Sequence, residues 1–285
     1  MKKNKILLQF IIVIHFIFNE LNAFSQNQIS YGNNVEVGKF ITINDVKLYY
    51  EVYGKGQPLL LIHGNKTGIS GWKPQIDFFS KNYRVYVIDC RGRGKSELGK
   101  DSLSYLQMAN DLSVFIEKME IDSVNVIGKS DGGIVALLLG IYYPKHLKKI
   151  VAFGANVLPD STALYSKTIE QNKAERRLAD EMLQKKDTTQ NWLLIQQRLR
   201  MMEFQPTILA ADLHKIKVPV LVMSCDRDVI KEDHTLYIYK NIPNSNLSIF
   251  PGEVHGVTRL NSDLFNTTVF HYLITPFQDN SIRFK

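Results

Sequence analysis

Residues 124–133 constrain this chain more than any other stretch. Val124 to Ile127 read as a strand, and an apolar helical run starts after Gly132. Between them lies Gly128-Lys129-Ser130-Asp131-Gly132. A chain that passes from strand to helix in so few residues must turn sharply, and the residue at the apex sits in a strained backbone conformation. Side chains two before and two after the apex would collide with strand or helix, which explains glycine at both places. The pattern is G-x-S-x-G, a nucleophile elbow that presents a serine hydroxyl at the tip of a strand.

A second pattern overlaps it. Residues 123–130 read S-V-N-V-I-G-K-S, one glycine short of the G-x-x-x-x-G-K-[ST] phosphate loop. That loop needs flexible residues whose N–H groups wrap a phosphate. Here Ser123 replaces the first glycine, and Val124, Asn125, Val126 and Ile127 commit their N–H groups to strand pairing. Nucleotide binding is excluded on that ground.

The rest of the chain supplies the setting. Residues 36–53 alternate around Asn44-Asp45 as a β-hairpin does. Leu59–Ile62, Arg84–Ile88, Lys149–Phe153, Val218–Met223 and Leu247–Phe250 are apolar runs of the kind that form strands buried on both faces. Helical patterns separate them at about 75–80, 105–119, 133–143 and 263–273. Such alternation predicts a mostly parallel, doubly wound sheet with helices on both faces. The rhythm stops at about 157–215, a charged helical stretch that reads as a lid inserted into the same domain.

Composition bounds the setting further. Lys2, Lys3 and Lys5 precede a 13-residue apolar stretch, 6–18, and then Ala23-Phe24-Ser25. This is the pattern of a secretory signal peptide over residues 1–25, cleaved before Gln26. The stretch is short for spanning roughly 30 Å of hydrocarbon, so no membrane anchor is expected after cleavage. The protein is therefore expected to be exported, either periplasmic or secreted. Without residues 1–25 the balance is 32 basic to 27 acidic side chains, a scattered net +5 with no aromatic-interleaved stripe, so no nucleic-acid partner is expected. Cys90 and Cys225 fall four strand positions apart, roughly 19 Å at 4.8 Å per strand. That is too far for a disulfide, and two free thiols are expected.

A serine nucleophile needs a base, an orienting acid and oxyanion donors. In open α/β sheets these gather beyond the strands' C-terminal ends. Among the histidines only His255 combines a loop after the last strand with the chain order Ser, Asp, His. His63 follows a strand too, but reads as a support beneath its loop. Asp228, in Asp226-Arg227-Asp228, is the expected acid, because the chain must leave the strand before a carboxylate can turn towards His255. Asp226 reads as a turn residue. The oxyanion donors are expected to be the backbone N–H groups of Asn65 and Asp131.

His63-Gly64-Asn65, Asp89-x-Arg91-Gly92-x-Gly94-x-Ser96, the elbow, Asp226-Arg227-Asp228 and His255-Gly256 occur in the order found in the α/β-hydrolase superfamily. The chain resembles that superfamily from about residue 40 to 275. Within it, Ser130-Asp131-Gly132-Gly133 with Gly154-Ala155-Asn156 is similar to the valacyclovir hydrolase (biphenyl hydrolase-like) group of serine esterases. The resemblance implies an α/β-hydrolase domain over 26–285, a Ser130–His255–Asp228 triad and a small-molecule ester or acyl substrate, and it implies neither metal nor organic cofactor. It also implies that Asp131 holds a substrate amino group, as in amino-acid esters. Against that stands an Asp131 that is solvated or paired with a nearby Lys or Arg. Lys129 departs from the common pattern at its position, and Cys225 stands where a glycine is usual. Serine at the elbow argues against dehalogenase and epoxide-hydrolase chemistry, which use aspartate there. Lactone, amide and C–C bond hydrolysis employ the same triad and stay open, as does a non-catalytic ligand-binding protein on this scaffold. The apolar lid residues Trp192, Leu193, Leu194, Met201, Met202 and Phe204 are expected to line the acyl pocket or to pack the lid on the core.

Overall fold

The computed structural model describes residues 29–278; the signal peptide read over residues 1–25 lies outside the described residues. Eight strands form one sheet: β1 (Lys39–Ile43), β2 (Val46–Tyr53), β3 (Gln57–Ile62), β4 (Tyr83–Ile88), β5 (Val124–Lys129), β6 (Leu147–Phe153), β7 (Val220–Arg227) and β8 (Ser245–Val254). Their spatial order is β1-β2-β4-β3-β5-β6-β7-β8. The first two pairings are antiparallel and the rest parallel. Asn44 and Asp45 turn the β1–β2 hairpin with φ of 47° and 63°. Positive φ at both turn positions is the geometry that matches strand twist, and Asn and Asp tolerate it.

The helices are α1 (Lys73–Phe79), α2 (Tyr105–Lys118), α3 (Asp131–Tyr142), α4 (Ser166–Gln184), α5 (Trp192–Phe204), α6 (Ala210–Leu213), α7 (Glu232–Asn241), α8 (Val257–Leu260) and α9 (Ser262–Ile274). Two apolar cores cover the two sheet faces. One joins Leu60, Ile62 and Val126 to α2 and α3, and the other joins Leu59, Leu61 and Ile127 to α1 and α9. Leu59 to Ile62 are at most 1% exposed, as expected of a run that alternates between two buried faces. The expected doubly wound α/β-hydrolase architecture is present, with α4, α5 and α6 as the inserted helical region.

The structure extends the sequence reading at several points. β7 and β8 run further towards their C-terminal ends than the apolar runs indicate, and α7 fills the crossover between them. Cys90 and Cys225 are both buried free thiols, and burial pushes each up to about 12. No helix among the described residues is long and apolar enough to cross a membrane.

Candidate active site

Ser130 caps α3 directly after β5, with φ 56° and ψ −124°. For a non-glycine residue this conformation is strained and must be held by its surroundings. The holding is visible. Ser130 N–H donates to Phe153 O at 2.8 Å, and Ser130 O accepts from Gly133 N–H at 2.7 Å. A β-carbon at Gly128 would lie 2.0 Å from Gly132 O, and one at Gly132 would lie 2.0 Å from Ile62 O. Both glycines of the elbow are therefore steric requirements.

His255 follows β8 and Asp228 follows β7. His255 Nδ1 and Asp228 Oδ1 are 2.7 Å apart. The Asp228 side chain is fully buried and that of His255 is 25% exposed. Asp228 Oδ1 also accepts from the N–H groups of Val229 at 2.7 Å and Ile230 at 3.2 Å, which fixes the carboxylate's direction. Its Oδ2 is buried without a partner. The carboxylate accepts the Nδ1 proton, so Nε2 is the basic nitrogen. The Phe153 ring stacks on the imidazole at 6.0 Å between centroids. Phe153 thus touches both members of the candidate pair, Ser130 through its carbonyl and His255 through its ring. Ser130 Oγ itself makes no hydrogen bond to His255 in this structure, as is common for catalytic contacts before substrate binds.

Asp226 accepts from Gly252 N–H through both carboxylate oxygens, at 2.7 and 2.8 Å. Its turn is therefore tied across to the next strand and not only locally. Cys225, the unusual residue before this loop, donates its Sγ hydrogen to Val254 O at 3.2 Å and ties β7 to the same segment.

The β3 loop carries the other half of the site. Gly64 packs against Ser130, where a β-carbon would lie 3.1 Å from Ser130 Cβ. His63 Nδ1 donates to Gly64 O at 2.8 Å, and its Nε2 accepts from Cys90 N–H at 3.0 Å. Burial holds the ring down at about 4, so it is neutral and structural. The buried Asp89 accepts from Ile69 N–H and Lys95 N–H, each at 2.9 Å, and Ser96 Oγ donates to Asp89 O at 2.5 Å. Gly68 and Gly94 let the loops close on this carboxylate, since a β-carbon at Gly94 would lie 1.9 Å from its Oδ2. The D-x-R-G-x-G-x-S pattern is therefore a staple between two loops. Asn65 is buried, its carbonyl accepts from Arg93 Nε at 2.6 Å, and its side-chain amide meets Met202 Sδ of α5. The N–H groups of Asn65 and Asp131 have no acceptor among the described residues.

Asp131 is 6% exposed. Its Oδ1 accepts from Tyr105 Oη at 3.0 Å, and its Oδ2 is buried without a partner. Burial pushes its carboxyl above the usual range, opposed chiefly by the Arg93 guanidinium. Asp131 and Arg93 line one small cavity of about 10 Å³, about the volume one water needs. Lys129 is not its partner. Lys129 Nζ donates to Thr258 Oγ1 at 2.7 Å, and burial, reinforced by Arg259, lowers its pKa.

Of the six apolar lid residues, Leu194, Met202 and Phe204 line cavities. Leu194 and Arg198 of α5 line a cavity of about 610 Å³ with residues of the 66–74 and 92–94 loops. Met202 and Phe204 line a second, of about 430 Å³. Met201 is buried in the core, Leu193 is 48% exposed, and buried Trp192 donates its indole N–H to Asp187 at 2.6 Å within the lid. Arg93, Tyr105, Arg198 and Arg259 were not singled out from sequence. Only Arg93 carried a signal, as part of the 89–96 motif. Among the described residues no group of three or more His, Cys, Asp or Glu is placed to hold a metal ion.

This geometry accords with what known proteins show. The family model for the alpha/beta hydrolase fold matches residues 57–205, and the chain belongs to that family. Human serine hydrolase BPHL is 26% identical over 86% of this chain and 88% of its own length. The 2-hydroxy-6-oxononadienedioate/2-hydroxy-6-oxononatrienedioate hydrolase of Comamonas testosteroni is 24% identical over 85% of this chain and 98% of its own. The esterase of Exiguobacterium antarcticum superposes with a TM-score of 0.70 at 24% identity, covering 84% of this chain and all of that one. BPHL and the Comamonas enzyme stand at similar distances, so the kinship is with the family and not with one member. The protein is a hydrolase of the α/β fold.

Proposed function

We propose that the protein hydrolyses carboxylic esters through an acyl-enzyme, with Ser130 as nucleophile, His255 as base and Asp228 as orienting acid. The observation that carries this reading is the 2.7 Å His255 Nδ1 to Asp228 Oδ1 bond beside a serine held at φ 56°. Ser130 Oγ attacks the carbonyl carbon while His255 Nε2 takes its proton. The oxyanion accepts from Asn65 N–H and Asp131 N–H, which need no reorganisation because nothing else occupies them. Collapse breaks the ester bond, and the alcohol leaves with the proton from His255 Nε2. Water, activated by the same nitrogen, then releases the acid. Asp228 stays ionised and stabilises the imidazolium. The test is turnover of an ester, lactone and amide panel with Ser130→Ala as control. Turnover of esters, abolished in the variant, supports the reading; ester turnover that survives in Ser130→Ala removes it.

A non-catalytic ligand-binding role on the same scaffold is the second reading, since fold does not fix function. Tight ligand binding with no turnover on the whole panel would select it. Recognition of an amino-acid ester by Asp131 is less supported by the surroundings of that residue. Tyr105 takes one carboxylate oxygen, and the other faces a space that holds at most a water beside Arg93. Export rests on residues 1–25 alone. N-terminal sequencing of protein recovered outside the cytoplasm should begin at Gln26, and recovery from the cytoplasm alone, with Met1 intact, would remove the idea.

A further inference from the structure

The cavity of about 610 Å³ beside Asn65 has an uneven lining. Lys66, Lys73, Arg93, Arg198 and Arg259 contribute to it, and no Asp or Glu does. The two lysines are neutralised elsewhere, Lys66 by Glu175 and Lys73 by Asp77, each at 3.0 Å and exposed. The arginines differ. Arg93 is buried and spends its donors on the Asn65 carbonyl and side chain and, weakly, on Gly92 O. The Arg198 side chain makes no hydrogen bond or ion pair among the described residues, and its Nε is fully buried without a partner. The Arg259 side chain likewise has none. Burial lowers the pKa of Arg93, opposed by Asp131, with Arg198 adding a smaller lowering. Burial lowers that of Arg198 too, opposed by Asp131 and Glu175.

A buried guanidinium donor without an acceptor costs free energy, and two like charges facing one cavity add to it. Such an arrangement is stable when a ligand supplies the missing anion. The planar fork of Arg matches a carboxylate with two parallel hydrogen bonds. Position adds the functional link. Arg93 holds the carbonyl of Asn65, whose N–H is the oxyanion donor proposed above, and Lys66 is the next residue. Met202, which meets the Asn65 side-chain amide, also lines the 430 Å³ cavity.

We infer that the cationic cavity is a substrate subsite that takes a carboxylate, held by Arg198 with Arg259, so that the preferred esters are monoanions with a carboxylate remote from the scissile bond. This rests on the hydrolase reading and narrows it. It also opposes the amino-acid-ester alternative, because an ammonium would enter a cavity of like charge.

The experiment measures equilibrium binding to the full-chain Ser130→Ala protein, in which turnover cannot intervene. Two matched sets place the charge on either arm of the ester. Monomethyl adipate is compared with dimethyl adipate and with methyl 6-aminohexanoate, and 6-acetoxyhexanoate with its methyl ester. In at least one set the carboxylate should bind about tenfold or more tighter than the neutral ester, as one charge-assisted contact provides, and the ammonium should bind weakest. Adding Arg198→Gln should reduce the preference to below about twofold, whereas Arg198→Lys should keep a few-fold preference that fades with salt. Arg259→Gln should weaken it independently, which guards against a lid that misfolds in the Arg198 variants. Equal binding of carboxylate and neutral ester in both sets overturns the subsite, as does a preference untouched by both arginine substitutions. Failure of the hydrolase reading shows separately, as absent ester turnover by the wild-type protein.

Discussion

Gly154 lies against His255 so closely that a β-carbon on it would sit 2.7 Å from the imidazole Cε1 and 2.9 Å from Nδ1. Gly154 also has φ 58°, a conformation only glycine adopts freely. The residue after β6 is thus what lets His255 lie flat beside Asp228. Gly154→Ala should displace the imidazole, lower kcat/KM for an ester by at least about 100-fold, and cost about 1–3 kcal/mol of stability through the strained φ. Ester kinetics and urea unfolding check both numbers; unchanged kinetics would show that His255 tolerates displacement and is not the base.

Asp228 has one oxygen on His255 Nδ1 and two backbone N–H groups to hold it in place. Asp228→Asn keeps the shape and loses the preference for the Nδ1–H tautomer. Turnover should fall by a factor on the order of 10⁴ while KM changes by only a few-fold. If kcat stayed within tenfold of wild type, another acid would have to orient the base.

Asp89 gathers two loops onto one carboxylate. Asp89→Ala leaves Ile69 N–H and Lys95 N–H without their acceptor, at a cost of about 2–4 kcal/mol. Because the same loops carry Asn65 and Arg93, kcat/KM should fall as well, and Asp89→Asn should restore part of both by keeping one acceptor. Denaturant unfolding and ester kinetics on the two variants test this, and loss of stability without any kinetic effect would separate the staple from the site.

Two buried histidines set a pH dependence of stability. Burial holds His63 and His234 at about 4, against about 6.5 for a free imidazole. Between those values the unfolded chain binds more protons than the folded one. Stability therefore falls as pH drops from 6.5 towards 4, by up to about 3 kcal/mol per histidine. The raised carboxyls of Asp89 and Asp131 act in the opposite sense, so a variant comparison isolates the histidines. His234 Nε2 accepts from Val157 N–H at 3.0 Å, a role a glutamine oxygen can fill. Urea unfolding of His234→Gln across this window should show a slope smaller by about one proton; an identical slope would mean that His234 titrates normally in the fold.

How far the sequence reveals this molecule depends on how local each cause is. Gly128 and Ser130 could be read because their constraints involve atoms a few residues apart, whereas Gly132 collides with Ile62 O of the neighbouring strand and was legible only through the motif. His255 and Asp228 could be read because chain order and strand ends restrict where a base and an acid can stand. Gly154 belonged to a noted run, yet its effect on His255 depends on β6 lying between β5 and β7. Nothing in the sequence singles out Arg198 and Arg259, and only the folded structure shows that their side chains lack partners. Lys129 seemed the natural neighbour of Asp131, but the pleat turns it towards Thr258 and leaves Asp131 to Tyr105 and Arg93.

The central claim is that Ser130 forms a covalent acyl-enzyme. Rapid mixing of the wild-type protein with p-nitrophenyl acetate, followed by mass analysis of the quenched protein, tests it most directly. The account predicts a burst of p-nitrophenol near one equivalent per active site, an acetyl group on Ser130, and neither in Ser130→Ala. Steady turnover that persists in Ser130→Ala, or acetylation at another residue with Ser130 unmodified, would contradict it.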